Sequence, residues 1–378
     1  MKRREIVVAF GVTRLALIAI ALLALVTVPS VSGPQYQHAS RQPLIDLWYR
    51  WDAGFFVSIA RHGYGWMQGD PSGNATFMPL YPLLMGLPLR LAPAATNADA
   101  VIVGVIISNA CLLIALFVLD ALLRLNASAP RARRLALWLL LLNPAAIFFA
   151  GVYTESLFLL LSLAAVYAAR RERWIIAGLA GFLAASTRVM GWTVAIPLIV
   201  EAWQQLDRWR KPIGRRALSL TLALTPLIAL PLYAGVVGLT LHSPTAYFDI
   251  TRRVWDQGLD VPWRAFVDFF NGPITLYGWQ RSWIDLGFAV VGLLLVVPAY
   301  RLRRSYGLYQ LAAILFPIVS GTLVSMPRYT LVAFPIYMVL ARLCASQRRP
   351  WAAIGLLILS ALLAAFFAAR FVTWHWIA

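Results

Sequence analysis

The chain opens with MKRREIVVAFGVTRLALIAIALLALVTVP (residues 1–29), in which a short basic segment precedes a long, mostly apolar run. A helix needs about 20 consecutive apolar residues to cross the hydrocarbon core of a bilayer. The run is long for the apolar part of a cleaved signal peptide, and the VTVPSVSG that ends it (residues 26–33) is a poor cleavage site. We therefore interpret it as a retained first transmembrane helix.

Comparable apolar runs recur along almost the whole chain, which is 61% hydrophobic and only 13% charged. A soluble domain is nearer half apolar and about a quarter charged. The alternating ten-residue pattern of a membrane β-barrel is absent. The sequence therefore predicts an all-α polytopic membrane protein with a single domain over residues 1–378. We expect about eleven crossings, at 6–29, 97–123, 135–152, 154–170, 174–190, 192–207, 217–241, 282–300, 306–325, 329–345 and 350–370.

The formal net charge of +18 does not indicate nucleic-acid binding, because most basic residues lie in short clusters between the apolar runs. Clusters of this kind are topology signals and contacts for anionic lipid headgroups. With the N-terminus on the cytoplasmic side, alternating crossings place most Lys and Arg residues on that side and leave the other side nearly neutral. This agrees with the positive-inside rule.

The predicted topology leaves two long outer loops, at 30–96 and 242–281. Within the first, TFMPLYPLLMGLPLRLAP (76–93) contains four prolines, and counting it as a crossing would reverse the charge distribution. We predict an interfacial or re-entrant segment there. Backbone of this kind is tolerated at membrane depth only where protein buries it or where it lines a cavity.

Several chemistries lack their sequence signatures. There is no Walker A motif, no D-x-D triplet and no metal-ligand spacing among the four histidines. Cys111 and Cys344 lie inside apolar runs, as expected of small core residues. We therefore predict no cofactor and no metal site.

RWDAGFFVSIARHGYG (50–65) is the most distinctive stretch of the first outer loop. It predicts a helix that begins near Asp52 and carries an aromatic stripe suited to the membrane interface. Asp52 then has two interpretations. It caps the helix and complements the helix dipole, or it is a carboxylate at the aqueous edge of a cleft that removes a proton from an acceptor hydroxyl.

Three further charged residues lie at outer helix ends. Glu155 is at the start of the fourth crossing and has two interpretations. It is a first-turn acid that the helix dipole favours, or it orients an Arg or an acceptor hydroxyl. Arg188 lies at the end of the fifth crossing, as a partner of Glu155 or as a phosphate clamp. Arg328 is an ordinary helix-start residue or a second phosphate ligand, and the helix dipole there favours a nearby anion. Together with Asp52 they predict a pocket for an anionic, lipid-borne substrate.

The same stretches resemble the PIG-V type of GPI mannosyltransferases, in order along the chain. The matching motifs are RWDAGFFVSIARHGYG, TFMPLYP (76–82), VYTES (152–156), STRVMG (186–191) and MPRYTLVAFPIY (326–337). One position departs from the family pattern. Val189 and Met190 stand where family members carry Ser-Asn, which leaves the acceptor and the sugar open.

The resemblance implies a GT-C fold, with interfacial helices in the first outer loop. It also implies transfer of mannose from polyprenyl- or dolichyl-phosphate-mannose to a glycan or glycolipid acceptor, as in GPI-like glycolipid biosynthesis. Asp52 then matches the catalytic Asp, and Arg188 and Arg328 are candidates for binding the donor phosphate. Candidates for orienting the acceptor or the sugar are Glu155, Arg50, Trp51, His62, Tyr64, Tyr81 and Tyr329.

The expected location is the plasma membrane of a prokaryote, with the N-terminus cytoplasmic and the active site on the outer face. Asp52 as general base and a single in-line attack imply inversion at the anomeric carbon. Three alternatives stay open at this point. They are a GT-C enzyme with another polyprenyl-phosphate sugar or a protein acceptor, a transporter of lipid-linked substrates, and a non-enzymatic scaffold.

Overall fold

The structure is a computed structural model that describes residues 2–33, 36–64, 74–92, 94–208, 213–255, 258, 260–272, 282–345 and 350–377. These residues form helices joined by turns, and they contain no strand. The α-helices are α1 (Arg3–Thr27), α2 (Pro43–Asp46), α3 (Ala53–His62), α4 (Leu80–Leu89), α5 (Asn97–Leu125), α6 (Pro130–Leu141), α7 (Glu155–Arg170), α8 (Trp174–Ala185), α9 (Ala195–Arg208), α10 (Ile213–Ala223), α11 (Pro226–Thr240), α12 (Ala246–Trp255), α13 (Arg264–Phe270), α14 (Trp283–Leu294), α15 (Val296–Leu302), α16 (Arg304–Val319), α17 (Met326–Val332), α18 (Pro335–Cys344) and α19 (Pro350–Val372). Two 3₁₀ turns, Ala146–Phe149 and Val189–Val194, complete the set.

Four of the helical spans described are long and apolar enough to cross a membrane: Arg3–Thr27, Asn97–Leu125, Trp283–Leu302 and Pro350–Val372. The pair α10 and α11, bent by 47° at its break, makes a fifth if it is counted as one span. The predicted all-helical membrane architecture is confirmed, but the count of about eleven crossings is not. Several predicted spans are short or interrupted helices; 174–190, for example, is helical only to Ala185 before a 3₁₀ turn begins.

The centre of the molecule is a layer of closely packed helices. α7 lies between α5 and α8, and α3 and α4 pack on each other and on the N-terminal half of α5. α1 packs along α19, so the two ends of the chain meet. Because α1 and α19 bury one face and leave Val, Leu and Ile side chains exposed on the other, their apolar outer surfaces suit contact with lipid.

The predicted interfacial segment contains α4, a helix of 10 residues. At about 1.5 Å per residue it is too short to cross a bilayer. Its side chains Tyr81 and Met85 are fully buried, and the Leu80 amide donates to the carbonyl of Ser186 (2.9 Å), just beyond α8. One face of the segment is therefore covered by protein, while Leu83, Leu87 and Leu91 are exposed.

Parts of some predicted segments lie outside the described residues. These are 34–35, 65–73 and 93 of the first outer loop, 256–257, 259 and 273–281 of the second, and 209–212 and 346–349 of the basic turns. The second loop contributes α12 and α13, which are short helices.

Three breaks in helical structure bring charged side chains to one place. Arg188 has extended backbone (φ −146°, ψ 143°) between α8 and the following 3₁₀ turn. Ser325, just before α17, is left-handed (φ 67°), and so is Trp51, just before Asp52 (φ 52°). The left-handed conformation of Ser325 and Trp51 is unfavourable for residues other than glycine, and conformations of this kind are concentrated at functional sites.

Candidate active site

Four charged side chains from four separate parts of the chain form one connected cluster. Asp52 precedes α3, Glu155 is the first residue of α7, Arg188 follows α8, and Arg328 lies in the first turn of α17. Their order along the cluster is Asp52, Arg328, Glu155, Arg188, with a direct ion pair at each step. The structure thus brings together the four residues that the sequence placed at outer helix ends.

Arg328 is the bridge of this cluster. Its Nη1 donates to Asp52 Oδ2 at 2.6 Å, and its Nε donates to Glu155 Oε1 at 2.7 Å. The guanidinium carbon lies 4.9 Å from the ring centre of Phe148 and 5.0 Å from that of Tyr153, so aromatic faces enclose the cation. Because two donors at a fixed spacing contact two carboxylates, the planar shape of the guanidinium group determines the geometry.

Glu155 holds both arginines with one carboxylate oxygen. Its Oε1 accepts from Arg328 Nε and lies 2.6 Å from Arg188 Nη1. Arg188 also donates to the Thr154 hydroxyl at 3.1 Å, and its guanidinium carbon lies 5.8 Å from the Tyr329 ring centre. The second oxygen, Oε2, is buried and has no hydrogen-bond partner among the described residues.

Burial differs within the cluster in a way that separates possible roles. The Glu155 side chain is completely buried, Arg188 and Arg328 are 12% and 11% exposed, and Asp52 is 19% exposed. A fully buried carboxylate is stable only when it is paired, and two guanidinium groups provide the pairing. Asp52 is the member most accessible to an incoming molecule.

The helix-cap interpretation of Asp52 is wrong for this structure. Asp52 is the residue before α3, as predicted, but its side chain makes no capping hydrogen bond and instead contacts Arg328. Thr154, the residue before α7, likewise makes no side-chain cap and accepts from Arg188. The anion expected near Arg328 is supplied by Asp52 and Glu155, so the four side chains carry no net charge together.

Arg50 and Trp51 lie beside the cluster but face the other end of the chain. Arg50 is 2% exposed and donates to the carbonyls of Asp46, Tyr49 and Val372, and to the Asp46 carboxylate. Burial lowers the pKa of Arg50, and the Asp46 carboxylate acts against that shift. Trp51 packs against the rings of Tyr36, Trp374 and Trp376. Both therefore fix the backbone on the N-terminal side of Asp52.

The remaining predicted residues fall into two groups. Tyr329 lies in the cluster, next to Arg188. His62 is exposed at the far end of α3, about 15 Å along the helix from Asp52. The Tyr64 hydroxyl donates to the Phe77 carbonyl, and the Tyr81 hydroxyl bonds to Gly104 and Ser108 on α5. These last three residues are not brought to the charged cluster.

Three residues that the sequence did not single out support the site. The Asp285 carboxylate accepts from the Met326 amide (3.1 Å) and thereby caps the helix that carries Arg328. The Tyr153 hydroxyl donates to the Arg50 carbonyl (2.8 Å), and the Trp374 ring lies 4.7 Å from the Arg50 guanidinium carbon. Asp285 could have been identified from the sequence, since an acid at the start of an apolar helix needs a partner.

In the part of the chain that the structure describes, no group of three or more His, Cys, Asp or Glu side chains is arranged to hold a metal ion. What the cluster offers is a carboxylate at its edge and two cations behind it. A carboxylate accepts a proton, and paired guanidinium groups bind phosphate oxygens or stabilise negative charge that develops during a reaction.

Comparison with known proteins supplies the family. A family model described as mannosyltransferase (PIG-V) matches residues 15–250. The chain belongs to the mannosyltransferase (PIG-V) family. The matched region includes Asp52, Glu155 and Arg188, whereas Arg328 lies beyond it.

Individual relatives agree with this family. The chain is 33% identical over 156 residues to GPI alpha-1,6-mannosyltransferase 2 of Rattus norvegicus and, to the same extent, of Mus musculus. Each alignment covers 38% of this chain and 29% of the relative, so the match spans less than a third of those proteins.

The fold resembles that of a solved GT-C glycosyltransferase. A crystal structure of ArnT from Cupriavidus metallidurans bound to undecaprenyl phosphate superposes with a TM-score of 0.53. The superposition covers 99% of this chain and 76% of ArnT at 13% sequence identity. At this identity the likeness concerns the fold, and it agrees with the GT-C architecture that the motif resemblance implies.

Proposed function

We propose that this PIG-V family member is a membrane glycosyltransferase that moves mannose from polyprenyl-phosphate-mannose to a glycan or glycolipid acceptor. The observation that carries the proposal is the continuous chain of ion pairs from Asp52 through Arg328 and Glu155 to Arg188. Membership of the mannosyltransferase (PIG-V) family supports mannose as the transferred sugar. The undecaprenyl phosphate bound by ArnT supports a lipid-linked phosphate as the donor.

Asp52 acts as the general base in this proposal. The acceptor hydroxyl oxygen attacks the anomeric carbon, the bond from that carbon to the phosphate oxygen breaks, and the hydroxyl proton passes to Asp52. Asp52 suits this role because it is the more exposed of the two carboxylates and contacts a single arginine. A single attack from the face opposite the leaving group inverts the anomeric configuration.

The charge balance of the cluster follows the charge balance of the reaction. The donor is a phosphodiester with one negative charge, and the departing polyprenyl phosphate monoester gains a second. When Asp52 takes the proton its own negative charge disappears, so the cluster changes from neutral to singly positive. Arg328, which contacts Asp52 directly, is released from that ion pair when Asp52 is protonated. It can then stabilise the negative charge that develops on the departing phosphate.

Glu155 and Arg188 hold the other side of this arrangement. Glu155 fixes both guanidinium groups through one oxygen, and because its side chain is completely buried its proposed role is to orient the two arginines. Arg188 contacts no other carboxylate in the described part of the chain, so it is the second candidate for the donor phosphate. A monophosphate donor needs less neutralising charge than a nucleotide diphosphate, and two arginines meet that need.

The proposed location is the plasma membrane of a prokaryote, with the N-terminus cytoplasmic and the cluster on the outer face. The clustering of basic residues in the predicted inner turns supports this orientation.

The direct test is a transfer assay with the purified protein in lipid nanodiscs. The donors are polyprenyl-phosphate-mannose, polyprenyl-phosphate-glucose and GDP-mannose, each with a glycolipid acceptor extract of the source membrane. We expect release of polyprenyl phosphate only from the mannose lipid, and a product whose new linkage has the opposite anomeric configuration to the donor.

Other outcomes point elsewhere. Transfer from the glucose lipid but not the mannose lipid would change the sugar and keep the mechanism. Turnover of GDP-mannose, or retention of the anomeric configuration, would contradict the proposal. Movement of intact lipid-linked sugar across the bilayer without cleavage would indicate a transporter.

A further inference from the structure

A cavity with both apolar and charged side chains in its lining lies away from the charged cluster. It encloses about 530 Å³, a volume in the range of small-molecule sites, between the turn that joins α7 to α8, the end of α9 and the start of α10. Its polar lining includes three arginines, Arg173, Arg215 and Arg216, against a single carboxylate, Glu172. The cavity is therefore positively charged.

The cavity lies at the opposite end of the helices from the proposed active site. α7 begins at Glu155 and ends at Arg170, two residues before Glu172. With 16 residues at about 1.5 Å each, α7 separates the two places by about 24 Å. That distance is close to the thickness of the hydrocarbon core, so the cavity opens near the opposite membrane surface.

The walls of the cavity combine cationic and apolar surface. Ile175, Ile176 and Leu218 line it and are exposed, as expected of side chains that face lipid. Arg216 Nε is buried and has no hydrogen-bond partner among the described residues. Arg173 and Arg215 are exposed, and within the described part of the chain neither forms an ion pair. A site with three guanidinium groups, one of which has a buried and unpartnered Nε, beside lipid-facing aliphatic side chains fits a molecule with an anionic head and apolar tails.

We propose that this cavity binds the headgroup of an anionic phospholipid on the membrane face opposite the active site. The phosphate lies among Arg173, Arg215 and Arg216, and the acyl chains run along Ile175, Ile176 and Leu218. Guanidinium groups suit phosphate oxygens, and each basic residue adds attraction to an anionic lipid. The site is separate from the catalytic cluster and is independent of the proposed transfer reaction.

The test is lipid binding by the delipidated protein, followed by native mass spectrometry. The probes are phosphatidylglycerol, phosphatidylcholine and inorganic phosphate. We expect one phosphatidylglycerol to bind at least about tenfold more tightly than phosphatidylcholine, and this preference to be lost in the triple variant R173Q/R215Q/R216Q. The variant I175N/I176N is expected to weaken phosphatidylglycerol binding without changing the binding of inorganic phosphate.

The matched control is R131Q/R134Q/R304Q. These three exposed arginines begin α6 and α16, at the same end of the molecule, and do not line the cavity. The control removes the same charge and is expected to keep the preference. Equal loss in both triple variants, or no loss in either, would overturn the site. Inorganic phosphate that competes fully, with no effect of I175N/I176N, would overturn its assignment to a lipid. Size-exclusion profiles in detergent verify that each variant is folded.

Discussion

At the scale of residues, the deciding feature is that Asp52 and Arg328 contact each other although they lie far apart in the sequence. The sequence predicted that both lie at outer helix ends, because the hydrophobic runs and the basic clusters define where helices end. It offered the pairing of Arg188 with Glu155 as one interpretation, and the structure contains that pair, but it did not predict that Arg328 pairs with Asp52. That pairing depends on the breaks at Arg188 and Ser325, where the backbone leaves the helix.

The first prediction concerns the shape of the Arg328 side chain. R328K keeps the positive charge but replaces a rigid two-donor fork with one ammonium group, which cannot hold Asp52 and Glu155 in the same geometry. We expect transfer, measured as kcat/KM for the lipid donor, to fall about 100-fold.

The control is R264K, at an arginine of α13 whose side chain is 60% exposed and forms ion pairs with the neighbouring Asp260 and Asp268. It is expected to keep wild-type transfer. R328K with an unchanged kcat/KM would mean that charge alone, without the bidentate geometry, suffices at this position.

At the scale of elements, the site depends on helices that stop early. The sequence suggested that 174–190 forms one helix, because only the short polar stretch 186–188 interrupts its apolar run. The structure ends α8 at Ala185 and turns the chain back through Val189–Val194. Hydropathy cannot locate such a break, since the residues on both sides of it are apolar and buried.

Gly191 permits the reversal after α8. A Cβ at this position would lie 2.3 Å from the Cα of Ala185, so any side chain must push the 3₁₀ turn away from α8. We expect G191A to displace Arg188, to lower the melting temperature measured by fluorescence-detected size exclusion, and to reduce transfer about tenfold or more.

The matched variant is G235A in α11, where an added Cβ meets nothing within 4 Å. Alanine favours a helix over glycine by up to about 1 kcal/mol, so G235A is expected to be neutral or slightly stabilising. Equal behaviour of the two variants would refute the role assigned to Gly191.

At the scale of the whole molecule, composition predicted the class of protein correctly, and the motifs predicted its family. The number of crossings was harder to predict from the sequence. A protein-buried helix such as α7 is apolar for the same reason as a lipid-facing one, yet with 16 residues it is too short to qualify as a span. The contact of Trp374, near the C-terminus, with Arg50 in the first loop could not be predicted from the hydropathy pattern.

The orientation of the molecule in the membrane gives the next prediction. In a background without Cys111 and Cys344, S243C is expected to react with a membrane-impermeant maleimide in intact cells, because the second long loop is proposed to lie outside. R171C, in the turn after α7, is expected to react only after permeabilisation. The reverse pattern would place the cluster on the cytoplasmic side.

The central claim is that Asp52 takes the proton of the acceptor hydroxyl while its partner Arg328 is freed for the departing phosphate. The most direct measurement is single-turnover transfer of mannose by D52N, which removes the basic oxygen and keeps the size of the side chain. D249N, at an exposed acid of α12, is the control. We predict that D52N slows transfer by about 100- to 10,000-fold while donor binding is retained. Transfer by D52N at the rate of the wild-type protein would contradict the account.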